Sequence, residues 1–242
     1  MEDTSTAPQL DLDAFTLASQ DSVHVAMPPE PAASETDVDA QLFAYVAAAE
    51  KGSGIKSIAD LDDAWVQSSF DGIGTIEELR AGIKRDLERQ ERRIWDNLKF
   101  QKCSDALVAR LQGDLPDDVV AANIEASQAQ YEARLRLMGS TKERYLREEH
   151  LTESQFDEKL RDDVLFQLKL NVVLDKMIAA EGIKVEKSEL TEYLSTDDPD
   201  AFLAEIEANG RVEDACQAAA RVKVMRRVVE TAVVETEEDP AV

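Results

Sequence analysis

Cysteine, histidine, glycine, proline and aromatic residues are all scarce in this 242-residue chain, and basic residues are heavily outnumbered. Each shortage closes a route. The two cysteines, Cys103 and Cys216, lie far apart and outside any Cys-x-x-Cys, so they give no disulfide framework and fit a reduced compartment. The two histidines, His24 and His150, have no metal spacing around them. Arg147-Glu148-Glu149-His150 just misses the Glu-x-x-His of di-iron bundles, and zinc needs about four ligands, or three and a water. Nine glycines and seven prolines are too few for a chain of many short strands and turns. Lys plus Arg total 27 against 51 Asp plus Glu, a net charge of −24. Such a surface repels phosphates, so no nucleic-acid partner is expected. No run is long and apolar enough to span a membrane, so no membrane partner is expected either. The opening residues, with Glu2, Asp3, Asp11 and Asp13, do not resemble a signal peptide, and the expected location is the cytoplasm.

What remains is helical material. Hydrophobic residues make up 43% and charged residues 32%, which describes packed helices with much solvated surface. The densest basic stretch, Lys84 to Arg93, is laced with Asp86, Glu88 and Glu91. It reads as a salt-bridged helix face.

The chain is expected to open with an irregular segment, residues 1–35, holding four prolines and a short alternating piece at Ser22–Met27 suited to a strand. Residues 36–56 read as a short helix capped by Thr36, stopping near Glu50–Gly52, followed by a Gly/Ser connector. Residues 57–234 read as the main helical domain, and 235–242 as an acidic tail. Within the main domain a short helix or turn is expected around Asp60–Phe70. Thr75-Ile76-Glu77-Glu78 is a capping box, in which the Thr and Glu side chains satisfy each other's free backbone amides. The helix it opens carries Leu79, Ile83, Leu87, Ile94, Leu98, Leu107 and Leu111, and should end at Gly113.

Leu115-Pro116-Asp117-Asp118 opens the next helix, with Val119, Val120, Ile124, Tyr131 and Leu135 on its buried face and Gly139 as C-cap. Ser140-Thr141-Lys142-Glu143 and Thr152-Glu153-Ser154-Gln155 are two further capping boxes. The second opens a long helix through Phe156, Leu160, Val164, Leu168, Val172 and Ile178, closed by Gly182. A small helix follows at about Lys187–Leu194, another starts at Asp197-Asp198-Pro199, and the last runs from about Val212 to Val233. That last helix is expected to set Cys216, Val222, Met225 and Val229 on one side.

No catalytic constellation emerges. Gly52-Ser53-Gly54-Ile55-Lys56-Ser57 lacks the Gly-Lys-Ser/Thr ending of a phosphate loop, and no hydrophobic strand runs into it. Cys103 has no base beside it in sequence and suits a buried apolar role. The acidic clusters do not match a calcium loop. No cofactor and no enzymatic activity are expected.

The order of these signals resembles the C-terminal domain of the trigger factor family. Ile58 to Val66 with Phe70 and Thr75-Ile76-Glu77-Glu78-Leu79-Arg80 looks like its linker and first long helix. Ala106 to Leu111 followed by Leu115-Pro116-Asp117-Asp118-Val119-Val120 is similar to its central helix junction. Met138-Gly139, Tyr145-Leu146, Leu151-Thr152-Glu153, Leu174-Asp175-Lys176-Met177-Ile178-Ala179, Glu181-Gly182-Ile183-Lys184-Val185 and Lys223-Val224-Met225 complete the series, over roughly residues 57–234. Val23–Pro31 and Thr36–Leu42 look like the segment that precedes the family's isomerase domain. Between residues 50 and 58 the chain is too short to hold that domain, and no Gly-Phe-Arg ribosome-contacting string occurs. Ribosome docking and prolyl isomerisation are therefore not carried over. Glu186 stands where the family commonly has a capping Thr.

The resemblance implies an all-α fold, an elongated irregular body with projecting helical arms and short extended segments near the N-terminus. It also implies an ATP-independent chaperone that holds unfolded or nascent polypeptides; self-association to a homodimer stays open. Apolar surface rimmed by charge is what a holdase needs. The candidate client-binding residues are Leu137, Met138, Tyr145, Phe156, Phe166, Met177 and Phe202. Helical spacing favours a core role for Phe156 and Phe166, whereas Leu137 and Met138, beside Gly139, suit an exposed tip. The alternative function is a helical adaptor for one folded, basic protein partner.

Overall fold

A computed structural model describes residues 10–48, 55–194 and 196–237. Eight α-helices dominate it: α1 (Glu35–Ala48), α2 (Asp63–Ser69), α3 (Ile76–Val108), α4 (Asp117–Leu137), α5 (Lys142–Glu148), α6 (Glu153–Glu181), α7 (Pro199–Ala208) and α8 (Val212–Thr231). Four short strands accompany them: β1 (Thr16–Leu17), β2 (His24–Met27), β3 (Leu111–Gln112) and β4 (Val233–Thr236). Single turns or short runs of 3₁₀ helix lie at Leu12–Ala14, Ile58–Asp60 and Lys187–Tyr193. The fold is all-α, as expected. Two compact units divide the chain: one takes the described residues up to Val25 with Lys102–Val233, the other Ala26–Gln101 with the described residues from Val234.

In the smaller unit, α1 lays Val38 and Leu42 onto Leu61, Val66, Leu79 and Ile83. Tyr45, Trp65 and Phe70 edge this core, with Phe70 ring centroids 5.4 Å from Tyr45 and 5.5 Å from Trp65 in edge-on contact. The Thr75 box forms as read: Thr75 Oγ1 accepts from the Glu78 N–H, and the Glu78 carboxylate accepts from the Thr75 N–H. Thr36, however, is not the cap of α1. Ser34 is: its hydroxyl accepts from the Asp37 N–H, and the Asp37 carboxylate accepts from the Ser34 N–H at 2.8 Å. The end expected for this helix, Glu50–Gly52, lies outside the described residues. On α3 the buried position is Trp95 rather than Ile94, which is 62% exposed. The indole N–H reaches the Pro28 carbonyl at 3.0 Å, a bond that isoleucine cannot make. The basic stretch behaves as a paired face, with Arg92 held by Glu30 and Asp96 and Arg89 by Asp86.

The larger unit is built on α6. Its Val164 and Leu168 pack against Val119 and Val120 of α4, and Phe156 near its start meets Tyr131 near the end of α4, so the two helices run antiparallel. On the other side α8 contributes Ala219, Ala220, Val224, Met225 and Val228. The expected α8 face was rotated by about a residue or two: Val222 stands exposed. Between α6 and α8 the Asp175 carboxylate accepts two bonds from Arg221 and one from Gln217, all at 2.7 Å. The capping box at Thr152 and Gln155 opens α6, and Gly182, at φ 63°, closes it. The segment after Glu186 is 3₁₀ rather than α-helix; the Glu186 N–H donates to the Glu189 carboxylate at 2.8 Å.

Two helix ends fall earlier than expected, and both yield to strands. α3 stops at Val108, and Leu111–Gln112 pairs antiparallel with Thr16–Leu17, Leu17 opposite Leu111. α8 stops at Thr231, and the Val233 N–H donates to the Val23 carbonyl at 2.9 Å. The alternation at Ser22–Met27 appears as β2. Gly113 follows β3 at φ 115°, where a Cβ would lie 2.9 Å from the Ala14 carbonyl oxygen. Gly113→Ala is therefore expected to cost more than about 1 kcal/mol, since both backbone strain and a backbone clash oppose it. Gly139→Ala, with nothing within 4 Å of its Cβ, meets strain alone. Urea unfolding of both variants, followed by circular dichroism, should rank Gly113→Ala as the more damaging.

Candidate functional site

The end of α4 exposes apolar side chains because its backbone is stopped by a left-handed residue. Gly139 takes φ 68°. The Ser140 N–H then reaches back to the Leu135 carbonyl at 2.8 Å and the Gly139 N–H to that of Arg136 at 3.0 Å, the paired bonds of a Schellman ending. Leu135 turns inward and is buried, while Leu137 is 90% and Met138 71% exposed. These are the two largest exposures among the large apolar side chains described.

Beneath this tip lies an aromatic trio. The Tyr131 ring centroid is 5.4 Å from Tyr145 and 5.1 Å from Phe156, so one residue each of α4, α5 and α6 meets at one point. Thr141 caps α5 by accepting from the Arg144 N–H. The cap thus sits one residue later than the expected Ser140, whose N–H closes α4, and the expected Ser140–Glu143 box is replaced by a plain Thr141 cap, since Arg144 at the third helical position cannot return the bond. Lys142 lies over the Phe156 ring at 4.9 Å and pairs with Asp157 at 3.2 Å and Glu153 at 3.3 Å. Burial works against its charge, but the bonds to Asp157 and Glu153 overcome this and raise its pKa. Burial first, and then a hydrogen bond with Tyr145, push the Tyr131 phenol up to about 12. A cleft of 230 Å³ opens beside the tip, lined by Met138, Arg144, Tyr145 and Glu148 among others.

The seven candidate residues separate accordingly. Leu137 and Met138 project; Tyr145 is half-buried beneath them; Phe156 is buried as the base of the trio. Phe166 is half-buried on α6, and Met177 is buried farther along it. Phe202 belongs elsewhere, to a groove of 350 Å³ between the Lys187–Tyr193 segment, α7 and α8. Phe202 and Val222 are 43% and 46% exposed there, over a floor that includes Leu190. Tyr193, Leu194, Ile206 and Val222 join this groove although the sequence reading did not mark them as binding residues. The unused signal was Phe202 with Ile206, four residues apart and therefore on one face of α7.

Among the described residues no group of three or more His, Cys, Asp or Glu side chains could hold a metal ion, and no helix is long and apolar enough to cross a membrane. Cys103 is fully buried. Cys216 is half-buried, and burial first, then Glu186, Glu189 and Glu213, raise its pKa, which disfavours a reactive thiolate.

The family model for the C-terminus of bacterial trigger factor matches residues 75–230. The chain belongs to this family. It is 31% identical over 153 residues to trigger factor of Frankia casuarinae, covering 62% of this chain and 31% of the relative. It is 29% identical over 187 residues to trigger factor of a Nocardioides species, covering 74% of this chain and 39% of the relative. The chain thus spans about a third of the length of these curated relatives. Among solved structures it is similar to a trigger factor chain from Thermotoga maritima, at 17% identity and TM-score 0.44 over 59% of this chain and 86% of that one. A second similar structure, a trigger factor chaperone studied for promiscuous substrate recognition, has 18% identity and TM-score 0.39, covering 71% of this chain and 42% of that one.

The tip should be alkali-sensitive. An ordinary tyrosine ionises near 10, whereas folded Tyr131 holds its proton to about 12. The stability that Tyr131 adds by keeping its proton in the folded state is therefore complete below pH 10 and is lost as pH rises from 10 through 12. An absorbance titration should show one late tyrosine transition that is absent in Tyr131→Phe. Phe156→Ala, which removes the base of the trio, should cost about 3–5 kcal/mol of local stability, read by hydrogen exchange in α5.

Proposed function

We propose that the chain is an ATP-independent, cytoplasmic, non-enzymatic holdase for unfolded or nascent polypeptides, and that Leu137 and Met138 are its primary contact. The observation that carries this reading is the pair itself: two large apolar side chains, 90% and 71% exposed, at a helix end closed by two returning backbone hydrogen bonds. Apolar side chains at such exposure mark an interaction surface. The thioether of Met138 adapts to irregular partners. Charged residues rim the tip, with Arg134, Arg136, Arg144 and Glu148 close by in sequence or in the adjoining cleft. The groove around Phe202 and Val222 offers a second apolar contact for a long unfolded chain. Membership in the trigger factor family supports the class of activity.

A second reading, an adaptor for one folded basic protein, draws on the net charge of −24. Promiscuity separates the two. Several unrelated unfolded proteins diluted with this chain, without ATP, should scatter less light than without it, at low and at moderate salt. Protection of none of them would overturn the holdase reading and favour the single partner.

Leu137→Asp with Met138→Asp should remove most of that protection. Both side chains are exposed, so stability should change by no more than about 0.5 kcal/mol and helicity should be kept. Full protection by the double variant would show that clients bind elsewhere on the chain.

A further inference from the structure

We infer that Met138 is a site of selective, reversible oxidation by peroxides, and that its sulfoxide weakens the apolar tip as a contact for unfolded polypeptides. The second half rests on the holdase reading; the first does not. Selectivity follows from burial. The sequence holds five methionines. Of the four within the described residues, Met27 is 0%, Met177 7% and Met225 4% exposed, whereas Met138 is 71% exposed. A peroxide must reach the sulfur lone pair in line with its O–O bond, and at three of these four sites the packed core denies that approach. At Met138 the side chain projects beyond the last hydrogen-bonded turn of α4, fixed by the bonds that Gly139 and Ser140 return to Arg136 and Leu135.

The step balances without a metal or a cofactor. The thioether sulfur attacks one peroxide oxygen, the O–O bond breaks and an S–O bond forms. Sulfur loses two electrons, and the departing oxygen takes them and a proton to leave as water, or as an alcohol from an organic peroxide. A thiol-dependent sulfoxide reductase reverses the change. The product is polar and chiral where the reactant was apolar and adaptable. Met138 and Arg144 line the same 230 Å³ cleft, so a sulfoxide oxygen, a strong acceptor, has in that cleft a guanidinium whose Nε already donates to Glu148 but whose other N–H groups are potential donors. That pairing would draw the side chain from the tip into the cleft and leave Leu137 as the tip's remaining apolar group.

The test treats the folded chain with dilute hydrogen peroxide, stops the reaction at intervals and maps each methionine by peptide mass spectrometry. Met138 should gain its oxygen at least about tenfold faster than Met27, Met177 and Met225, in keeping with the dependence of oxidation on exposure. Similar rates at all four would overturn the assignment. The oxidised chain, assayed beside the untreated one for suppression of client aggregation, should protect less, and treatment with sulfoxide reductase should restore protection. Protection unchanged by complete Met138 oxidation would overturn the proposed effect. Met138→Gln, which places a polar group of similar length at the tip, should mimic the oxidised chain with its helicity intact. If the untreated chain protects no client, the holdase reading falls, while the oxidation map still decides the site.

Discussion

The second half of α6 has almost no side left for water, and the larger unit is organised by that constraint. From Val164 to Ile178 the one exposed residue is Gln167. Val172, Val173 and Leu174 are buried in succession, which no single helical face can achieve. Such a stretch must be covered from more than one direction. α4 supplies one cover with Val119 and Val120, and α8 supplies another with Ala219, Ala220 and Val224. The paired alanines let the α8 backbone come close. Burial of this kind also brings in a charge: Asp175, whose side chain is 13% exposed, sits among these contacts and is tolerated because Arg221 and Gln217 fill its acceptor sites. Removing Arg221 would leave a desolvated carboxylate, so the ion pair fixes the relation of α6 to α8 more firmly than an exposed pair could.

The first half of α6 is a different physical object. Between Glu153 and Asp163, Phe156 is the one buried residue. The helix there is held by the aromatic trio, the Lys142 ion pairs and the two capping motifs at Thr141 and Thr152. A region with so few buried apolar contacts opens more readily than the rest. The groove near Phe202 reflects the same scarcity. α7 spans ten residues and buries none of them fully, so the faces of its neighbours stay partly open.

How much of this was legible differs by the range of the interaction. The boxes at Thr75–Glu78 and Thr152–Gln155, and the glycine stops at Gly139 and Gly182, depend on groups three to five residues apart. Such contacts form wherever the local sequence allows them, so these helix ends could be read directly. Where two local solutions competed, reading was less exact. Ser34 rather than Thr36 caps α1, because Asp37 lies three residues beyond Ser34 and can return the bond. Ile94 and Trp95 compete for one face of α3, and a carbonyl 67 positions away, at Pro28, decides between them.

The sequence by itself determined the helical class, the approximate extent of the helices, the apolar tip at Leu137 and Met138 and the lack of a recognisable catalytic motif. Those properties follow from composition, periodicity and short-range backbone bonds. Tertiary structure decided the rest. It ended α3 and α8 early, since Leu111 and Val233 gain backbone partners at Leu17 and Val23 that no local pattern announces. It chose which of several apolar stripes on α8 faces α6, leaving Val222 to line a groove. It also placed Phe156 beneath the tip rather than on it, because an aromatic ring is buried or exposed according to what the neighbouring helices bring to it.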